Sequence, residues 1–142
     1  MEYTLIICDP AWQEFDKYRN KPGAFLFKDE NTEIFSLNGK FHNENGPAYI
    51  NYWDNGNIEY QAYYINGFLH NINGPADIHF YKNGNVKMKE YYINNKMHNE
   101  LGPAHIQYDE NGNVDYESYY LYDIKIYSKE DYQKQIKTKL YW

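Results

Sequence analysis

Residues 66–84 read NGFLHNINGPADIHFYKNG, and this stretch decides the fold because it recurs at a fixed distance. The triplet Gly-Pro-Ala begins at positions 46, 74 and 102, each time four positions after a histidine. The steps from His42 to His70 and from His70 to His98 are both 28 residues (70 − 42 and 98 − 70). The same step separates the Asn-Gly-Asn turns at 55, 83 and 111 and the Tyr-Tyr pairs at 63, 91 and 119. A period of this length predicts an array of stacked supersecondary units.

The first turn of each repeat contains Asn-Gly and predicts one strand register. It fits a three-residue loop, a type I turn followed by glycine in the left-handed region. This loop pairs Tyr52 with Ile58 and Ile50 with Tyr60, which collects apolar residues on one face. A two-residue turn would place Ile50 opposite Gln61, and the hydrophobic pattern disfavours it. The turn glycines are Gly56, Gly84 and Gly112.

The second turn is Asn-Gly at 38 and 66 and Asn-Asn at 94. Both residue types tolerate positive φ, which favours a two-residue type I′ hairpin. The predicted pairs across it are Tyr64 with Leu69 and Tyr92 with Met97.

These registers predict one apolar face, containing Ile50, Ile78 and Ile106, and one wet face. The wet face is expected to carry Glu59, Gln61, Lys87, Lys89, Asp115 and Glu117, with Tyr63, Tyr91 and Tyr119 further in. The predicted fold class is all-β: an elongated antiparallel β-meander of hairpin repeats with one C-terminal α-helix.

The chain is expected to form a single repeat domain over residues 1–142. Residues 1–34 would form an N-terminal strand, near residues 3–8, and a degenerate cap. Residues 35–127 hold three 28-residue repeats, and residues 128–142 form a capping helix that starts at Ser128 with a capping box. Tyr132, Ile136 and Leu140 give this helix a narrow apolar stripe.

The composition limits the classes of partner. The chain is rich in tyrosine, with 18 Tyr in 142 residues, and carries a net charge of −6. Because a negative charge repels phosphate backbones and anionic bilayers, neither nucleic acid nor membrane is an expected partner. Cys8 is the single cysteine, so an intramolecular disulfide is impossible. No signal-peptide pattern or spanning stretch is seen, and the expected location is the cytoplasm.

The pattern Asn-Gly-x-x-His-Asn-x-x-Gly-Pro-Ala, then alternating aliphatic and aromatic residues, then Asn-Gly-Asn resembles the MORN-repeat-variant family over roughly residues 35–127. Such tracts are familiar from bacterial proteins, some labelled antitoxins, and from phage and large-virus proteins. The resemblance implies hairpins side by side in an elongated sheet, an interaction or scaffold role, and host cytoplasm if a phage or virus encodes the chain. The Gly-Pro-Ala elbow, the 28-residue period and the acidity depart from the familiar repeat.

The repeated histidines do not fit a shared metal site. Equivalent positions lie two strands, or about 9.5 Å, apart, whereas ligand nitrogens must each lie about 2 Å from the ion. The histidines are expected either to bond to backbone around the Gly-Pro elbow or to face a ligand, and the repeated tyrosines form a ladder or a recognition surface. The binding candidates are Tyr63, Tyr91, Tyr119, His42, His70, His98, Tyr49, Trp53 and Tyr81. Besides the turn glycines, the structural repeat positions are Gly46, Pro47, Gly74, Pro75, Gly102 and Pro103, where the glycines are expected to allow an unusual backbone angle.

No pattern predicts catalysis, a cofactor or a metal. Asp77, Glu90, Asp109 and Glu117 sit at varying repeat positions and are expected on a solvated face. An enzymatic role would require a cleft with a hydrogen-bonded carboxylate or histidine pair.

The leading hypothesis is a non-enzymatic module that binds and inhibits a protein partner, as an antitoxin-like or anti-host-defence factor. The alternative is an oligomer that sequesters a small nucleotide signal between aromatic and histidine side chains. An exposed sheet edge also favours a homo-oligomer.

Overall fold

The structure is a computed structural model that describes residues 1–139. Within these residues the chain forms fifteen strands and two helices. In chain order they are β1 (Thr4–Ile7), α1 (Ala11–Tyr18), β2 (Ala24–Lys28), β3 (Thr32–Leu37), β4 (Lys40–Phe41), β5 (Tyr49–Tyr52), β6 (Ile58–Ala62), β7 (Tyr64–Ile65), β8 (Phe68–Leu69), β9 (Asp77–Phe80), β10 (Val86–Glu90), β11 (Tyr92–Ile93), β12 (Lys96–Met97), β13 (His105–Tyr108), β14 (Val114–Leu121), β15 (Ile124–Ile126) and α2 (Lys129–Lys139).

One sheet contains eleven of the fifteen strands found in the described residues. Its order is β1-β2-β3-β5-β6-β9-β10-β13-β14-β15, with β4 paired to β3. Neighbouring strands are antiparallel except that β1 is parallel to β2, and α1 provides the crossover that a parallel pair needs. The predicted all-β meander with a C-terminal helix is confirmed. Helix α1 is an addition to the predicted fold.

The first turn has the predicted type. Gly56 has φ +84°, and its N–H donates to the carbonyl of Trp53 at 2.9 Å. Tyr52 pairs with Ile58, as the three-residue loop requires. The glycines of the next two copies have φ +90° and +87°.

Beyond this turn the predicted register is wrong by one residue. Ile50 pairs with Gln61 instead of Tyr60, which pairs with Asn51. The cause is a β-bulge, in which Glu59 on β6 is an extra residue between the pairs of Ile58 and Tyr60. The β9–β10 and β13–β14 hairpins contain similar shifts.

The bulges mix apolar and charged side chains on both faces, so the prediction of one apolar and one wet face is wrong. Directly opposed residues share a face of the sheet. The front face carries the row Ile50, Gln61, Ile78, Lys89, Ile106 and Glu117. The back face carries the row Asn51, Tyr60, His79, Met88, Gln107 and Tyr116.

The second turn is a type I′ hairpin in every copy. Its two residues have positive φ at 38–39, 66–67 and 94–95. Tyr64 pairs with Leu69 and Tyr92 pairs with Met97, as predicted. A fourth copy occurs at 122–123, where Tyr122 and Asp123 have positive φ in place of Asn-Gly.

Helix α1 covers the back face at the N-terminal end of the sheet. Ala11, Phe27 and Ile34 are completely buried there, with Phe15 and Tyr18 packed against them. The helix is also tied to the β2–β3 turn, because Ala11 N donates to Asp29 Oδ2 at 2.7 Å. This is the largest apolar cluster of the described chain.

Helix α2 covers the front face at the other end. Tyr132 packs on Tyr119, Leu121 and Ile126, and all four are buried. Asp131 N donates to Ser128 Oγ at 3.0 Å, which confirms the predicted N-cap. Ile136 extends the contact, and Leu140 lies outside the described residues. Neither helix within residues 1–139 has the length and apolar character needed to cross a bilayer.

Candidate functional site

The repeated histidines hold neighbouring repeats together. Each imidazole Nδ1 accepts a hydrogen bond from the backbone N–H that opens the next type I′ turn. The pairs are His42 with Asn66 at 3.0 Å, His70 with Asn94 at 3.2 Å and His98 with Tyr122 at 3.3 Å. Nδ1 must therefore be unprotonated. The predicted contact to backbone is present, but it reaches the next turn instead of the Gly-Pro elbow.

The loop before each Gly-Pro-Ala is fastened by the asparagine that follows the histidine. Asn43 Nδ2 donates to the Pro47 carbonyl at 3.0 Å, and its Oδ1 accepts from Asn45 N at 3.1 Å. The next two repeats form the same contacts. Gly46, Gly74 and Gly102 do not have positive φ, so the predicted unusual backbone angle at these glycines is wrong.

Two equivalent grooves open on the front face between successive loops. The Tyr63 groove, about 610 Å³, is lined by Tyr63, His70 and Ile78 and by the loops around 43–46 and 71–75. The Tyr91 groove, about 650 Å³, has the equivalent lining, including Tyr91 and His98. Desolvation by burial, with a smaller contribution from Tyr108, raises the pKa of Tyr91. The neutral phenol is therefore the form present in this groove at neutral pH.

The rims of both grooves carry exposed apolar side chains. Ile72 is 75% exposed and contributes to both grooves, and Leu101 is 98% exposed beside the Tyr91 groove. Of the described residues that line the grooves, none is Lys or Arg, and the carboxylates are Glu44 and Glu100. Both grooves thus combine apolar side chains with asparagine and histidine side chains, and each carries one carboxylate.

Phe35 and Tyr119 lie at the two ends of the array, at positions equivalent to Tyr63 and Tyr91. Both are covered by tyrosines from other parts of the chain. The ring of Tyr3 meets Phe35 edge-on, with centroids 5.3 Å apart. The ring of Tyr132 lies on Tyr119, with centroids 4.7 Å apart. Four equivalent positions, 28 residues apart at 35, 63, 91 and 119, are therefore covered at both ends and open in the middle.

The other sequence-predicted binding residues lie elsewhere. Tyr49 is on the back face, with its ring 6.0 Å from that of Phe41 and 5.7 Å from that of Tyr60. Trp53 and Tyr81 sit at the Asn-Gly turns, and Tyr81 Oη donates to the Tyr108 carbonyl at 2.8 Å. The structure brings Tyr63 together with His70 and Tyr91 together with His98. The remaining candidates line neither groove: His42, Tyr119, Tyr49, Trp53 and Tyr81.

The back face holds a polar cluster that the sequence analysis missed. Asp77 and Glu90 oppose each other between β9 and β10. Tyr60 Oη donates to Asp77 Oδ2 at 2.7 Å, and Glu90 Oε1 lies 2.7 Å from His105 Nδ1. Burial, followed by the Asp77 carboxylate, raises the pKa of Tyr60. His79 and His105 are the two histidines outside the 28-residue spacing. That departure from the repeat was the sequence signal that could have indicated this cluster.

This cluster lies outside the main grooves of the described residues. His79 Nε2 lies 3.1 Å from Asp77 Oδ1, which is close enough for an ion pair but not aligned for a hydrogen bond. That oxygen is therefore buried without a hydrogen-bond donor among residues 1–139. None of the main grooves described within those residues is lined by Asp77, Glu90 or His105. We therefore take the front-face grooves as the candidate functional site.

Comparison of the chain with protein-family models, with curated proteins and with solved structures finds no match. The resemblance to the MORN-repeat-variant family stays a prediction. The function is accordingly inferred from the grooves.

The histidine contacts predict a dependence of stability on pH. Burial, with a further contribution from Lys139 and against the effect of Glu100, lowers the pKa of His98. Below about pH 6.5 the unfolded chain therefore binds more protons at His98 than the folded chain does. The contribution of neutral His98 to stability is fully present above that pH and is lost as the pH falls through the lower pKa of the folded state. We expect His98→Asn, whose amide oxygen accepts from Tyr122 N without titrating, to lose less stability than wild type between pH 7 and pH 5. Urea unfolding at both pH values measures this, and equal losses would contradict it.

Proposed function

We propose that this chain is a non-enzymatic protein-interaction module that binds a partner protein through the Tyr63 and Tyr91 grooves and thereby blocks that partner. The observation that carries the proposal is the exposure of Ile72 and Leu101 at the rims of two ordered, equivalent grooves. Exposed apolar side chains at the rim of a concave site are a common feature of interaction sites. An inhibitor of the antitoxin or anti-host-defence kind acts in this way without chemistry of its own.

The rigidity of the groove walls supports this function. The loops are fastened by Asn43 and its equivalents, and the histidines fix one repeat against the next. A partner therefore meets a preformed surface and pays little of the ordering cost that weakens flexible binders.

The proposal is tested by capturing partners from an extract of the source cells with the full chain and with Ile72→Asp/Leu101→Asp. Both side chains are largely exposed, so the double variant is expected to fold normally. We expect the wild type to retain a partner that the double variant loses, because charge at the rim opposes burial of the groove.

The matched control is Ile124→Asp, which changes an apolar side chain that is 68% exposed and lies outside both grooves. This control is expected to keep the partner. Retention of every captured protein by the rim double variant would overturn the proposed surface.

The nucleotide-sequestering alternative draws on the same grooves. Their volumes suit a small molecule, and Tyr91 and His98 offer aromatic surface. The lining residues include two carboxylates and no Lys or Arg, which disfavours an anionic nucleotide. Calorimetry against a panel of nucleotides separates the two functions, and micromolar binding of one nucleotide would favour sequestration.

A further inference from the structure

The N-terminal end of the array shows how a tyrosine occupies a groove position. Tyr3 precedes β1, and its ring rests edge-on against Phe35, the equivalent of Tyr63. Its hydroxyl donates to the carbonyl of His42 at 3.0 Å. The contact combines apolar ring burial with one directed hydrogen bond, and it joins residues 39 apart in the chain.

The C-terminal end shows the same chemistry from a different element. Tyr132 comes from α2, is 6% exposed and lies on Tyr119. Its hydroxyl donates to the carbonyl of Asn99 at 3.0 Å. A tyrosine beside a strand and a tyrosine on a helix thus cover two equivalent positions of the repeat surface. Both hydroxyls donate to a backbone carbonyl of the repeated His-Asn sequence, at His42 and at Asn99.

The open grooves have the corresponding acceptors. The Tyr63 groove is lined by Asn43 and His70, and the Tyr91 groove by Asn71 and His98. No donor from residues 1–139 bonds to the carbonyl oxygens of these four residues. The middle of the array therefore offers aromatic surface and carbonyl acceptors of the kind that the chain's own tyrosines use at its ends.

The distance between the two grooves favours a partner segment that is an α-helix rather than a β-strand. Tyr63 follows β6 and Tyr91 follows β10, with β9 between, so the grooves lie two strand spacings, roughly 9.6 Å, apart. Residues seven apart on an α-helix share a face and are separated by about 10.5 Å. Same-face residues of a strand are separated by about 6.7 or 13 Å, which fits less well.

The charge of the grooves favours an unphosphorylated over a phosphorylated tyrosine of the partner. Glu44 lines the Tyr63 groove and Glu100 lines the Tyr91 groove, while no Lys or Arg is among the described lining residues. Lys139 at the rim is paired with Glu100. A phosphotyrosine would bring about two negative charges beside Glu44 in the Tyr63 groove, and in the Tyr91 groove Lys139 is already engaged by Glu100.

We infer that the partner presents two unphosphorylated tyrosines, seven residues apart on one helix, and inserts one into each open groove. This inference rests on the proposed function and names its partner chemistry. The net charge of −6 favours a basic helix around the two tyrosines.

The test uses lactam-bridged helical peptides of about 15 residues, rich in lysine, with tyrosines at peptide positions 4 and 11. Calorimetry with the full chain is expected to show binding at least about tenfold tighter than for peptides with one tyrosine changed to alanine. Phosphorylation of both tyrosines is expected to weaken binding at least about tenfold. Equal affinity for the phosphorylated peptide, or for one with tyrosines at positions 4 and 8, would overturn the inference.

The rim variants separate this inference from the function on which it rests. In the peptide assay, Ile72→Asn/Leu101→Asn removes the apolar rim without adding negative charge that attracts lysine, and it is expected to lose the two-tyrosine peptide, whereas Ile124→Asn is expected to keep it. If Ile72→Asp/Leu101→Asp loses its captured partner but the wild type does not bind the peptide, the inference fails and the proposed function stands. If Ile72→Asp/Leu101→Asp keeps every partner, the proposed function fails.

Discussion

Replacing Gly39 with asparagine is expected to destabilise the protein by about 3 kcal/mol, whereas the same change at Gly67 is expected to cost less than about 1 kcal/mol. Both glycines are the second residue of a type I′ turn, with φ +74° and +83°. Asn95 occupies this position in the next copy with φ +64°. Because asparagine is compatible with the turn itself, the difference must come from the surroundings.

The surroundings differ at the end of α1. A Cβ atom on Gly39 would lie 1.5 Å from the carbonyl oxygen of Arg19, which follows α1. At Gly67 the nearest atom would be the Cβ of Lys40 at 3.5 Å, an ordinary contact. An asparagine at 39 must therefore push the end of α1 away from the type I′ turn at 38–39 and disturb the packing beneath the helix.

Urea unfolding followed by tryptophan fluorescence compares the two variants with wild type. A loss at Gly39→Asn no larger than that at Gly67→Asn would show that α1 does not abut the type I′ turn at 38–39. Gly39→Ala and Gly67→Ala serve as a second pair, since both alanines carry the same strain of positive φ and only the one at 39 meets the Arg19 carbonyl.

The turn chemistry was predictable from sequence, and the helix that abuts the type I′ turn at 38–39 was missed. Asn and Gly at fixed positions specify type I′ turns by local sterics alone, so those hairpins followed directly. Helix α1 has apolar residues at Ala11, Phe15 and Tyr18, which is a helical spacing. The segment has eight residues and lies outside the repeats, so the 28-residue period carried no information about it.

The strand register failed for a different reason. The turn fixed Tyr52 against Ile58, and strict alternation then demanded Ile50 against Tyr60. One extra residue, Glu59, reverses which side chains share a face. A bulge of this kind carries no composition signal that distinguishes it from a regular strand ending in a charged residue.

The candidate site was partly accessible from sequence. The repeated tyrosines and histidines were singled out, and the structure brings Tyr63 with His70 and Tyr91 with His98 into the two grooves. Tyr3 and Tyr132 cover the end positions, and both come from segments outside the repeats. Tyr3 contacts a residue 39 positions away in the chain, and Tyr132 contacts one 33 positions away. Only the fold could place those side chains.

Replacing Phe27 with alanine is expected to cost about 3–5 kcal/mol of unfolding free energy, the range for a buried phenylalanine. Phe27 is completely buried, and its ring centroid lies 5.8 Å from that of Phe15 and 5.7 Å from that of Tyr18, both on α1. Alanine leaves a cavity between the helix and β2 that the rigid sheet cannot fill.

Phe80→Ala is the matched control, because Phe80 is half-buried on β9 in the middle of the sheet, whereas the two helices pack on β2, β3 and β15. We expect a cost of about 1–2 kcal/mol there, since part of that ring is exposed already. Hydrogen exchange of Phe27→Ala should show lost protection first in β1, β2 and β3, while β9 and β10 keep theirs longer. Uniform loss along the sheet would instead mean that the repeats unfold as one unit. The expected gradient follows from the architecture, because a repeat array is stabilised by its neighbours and only its ends have a second layer to bury against.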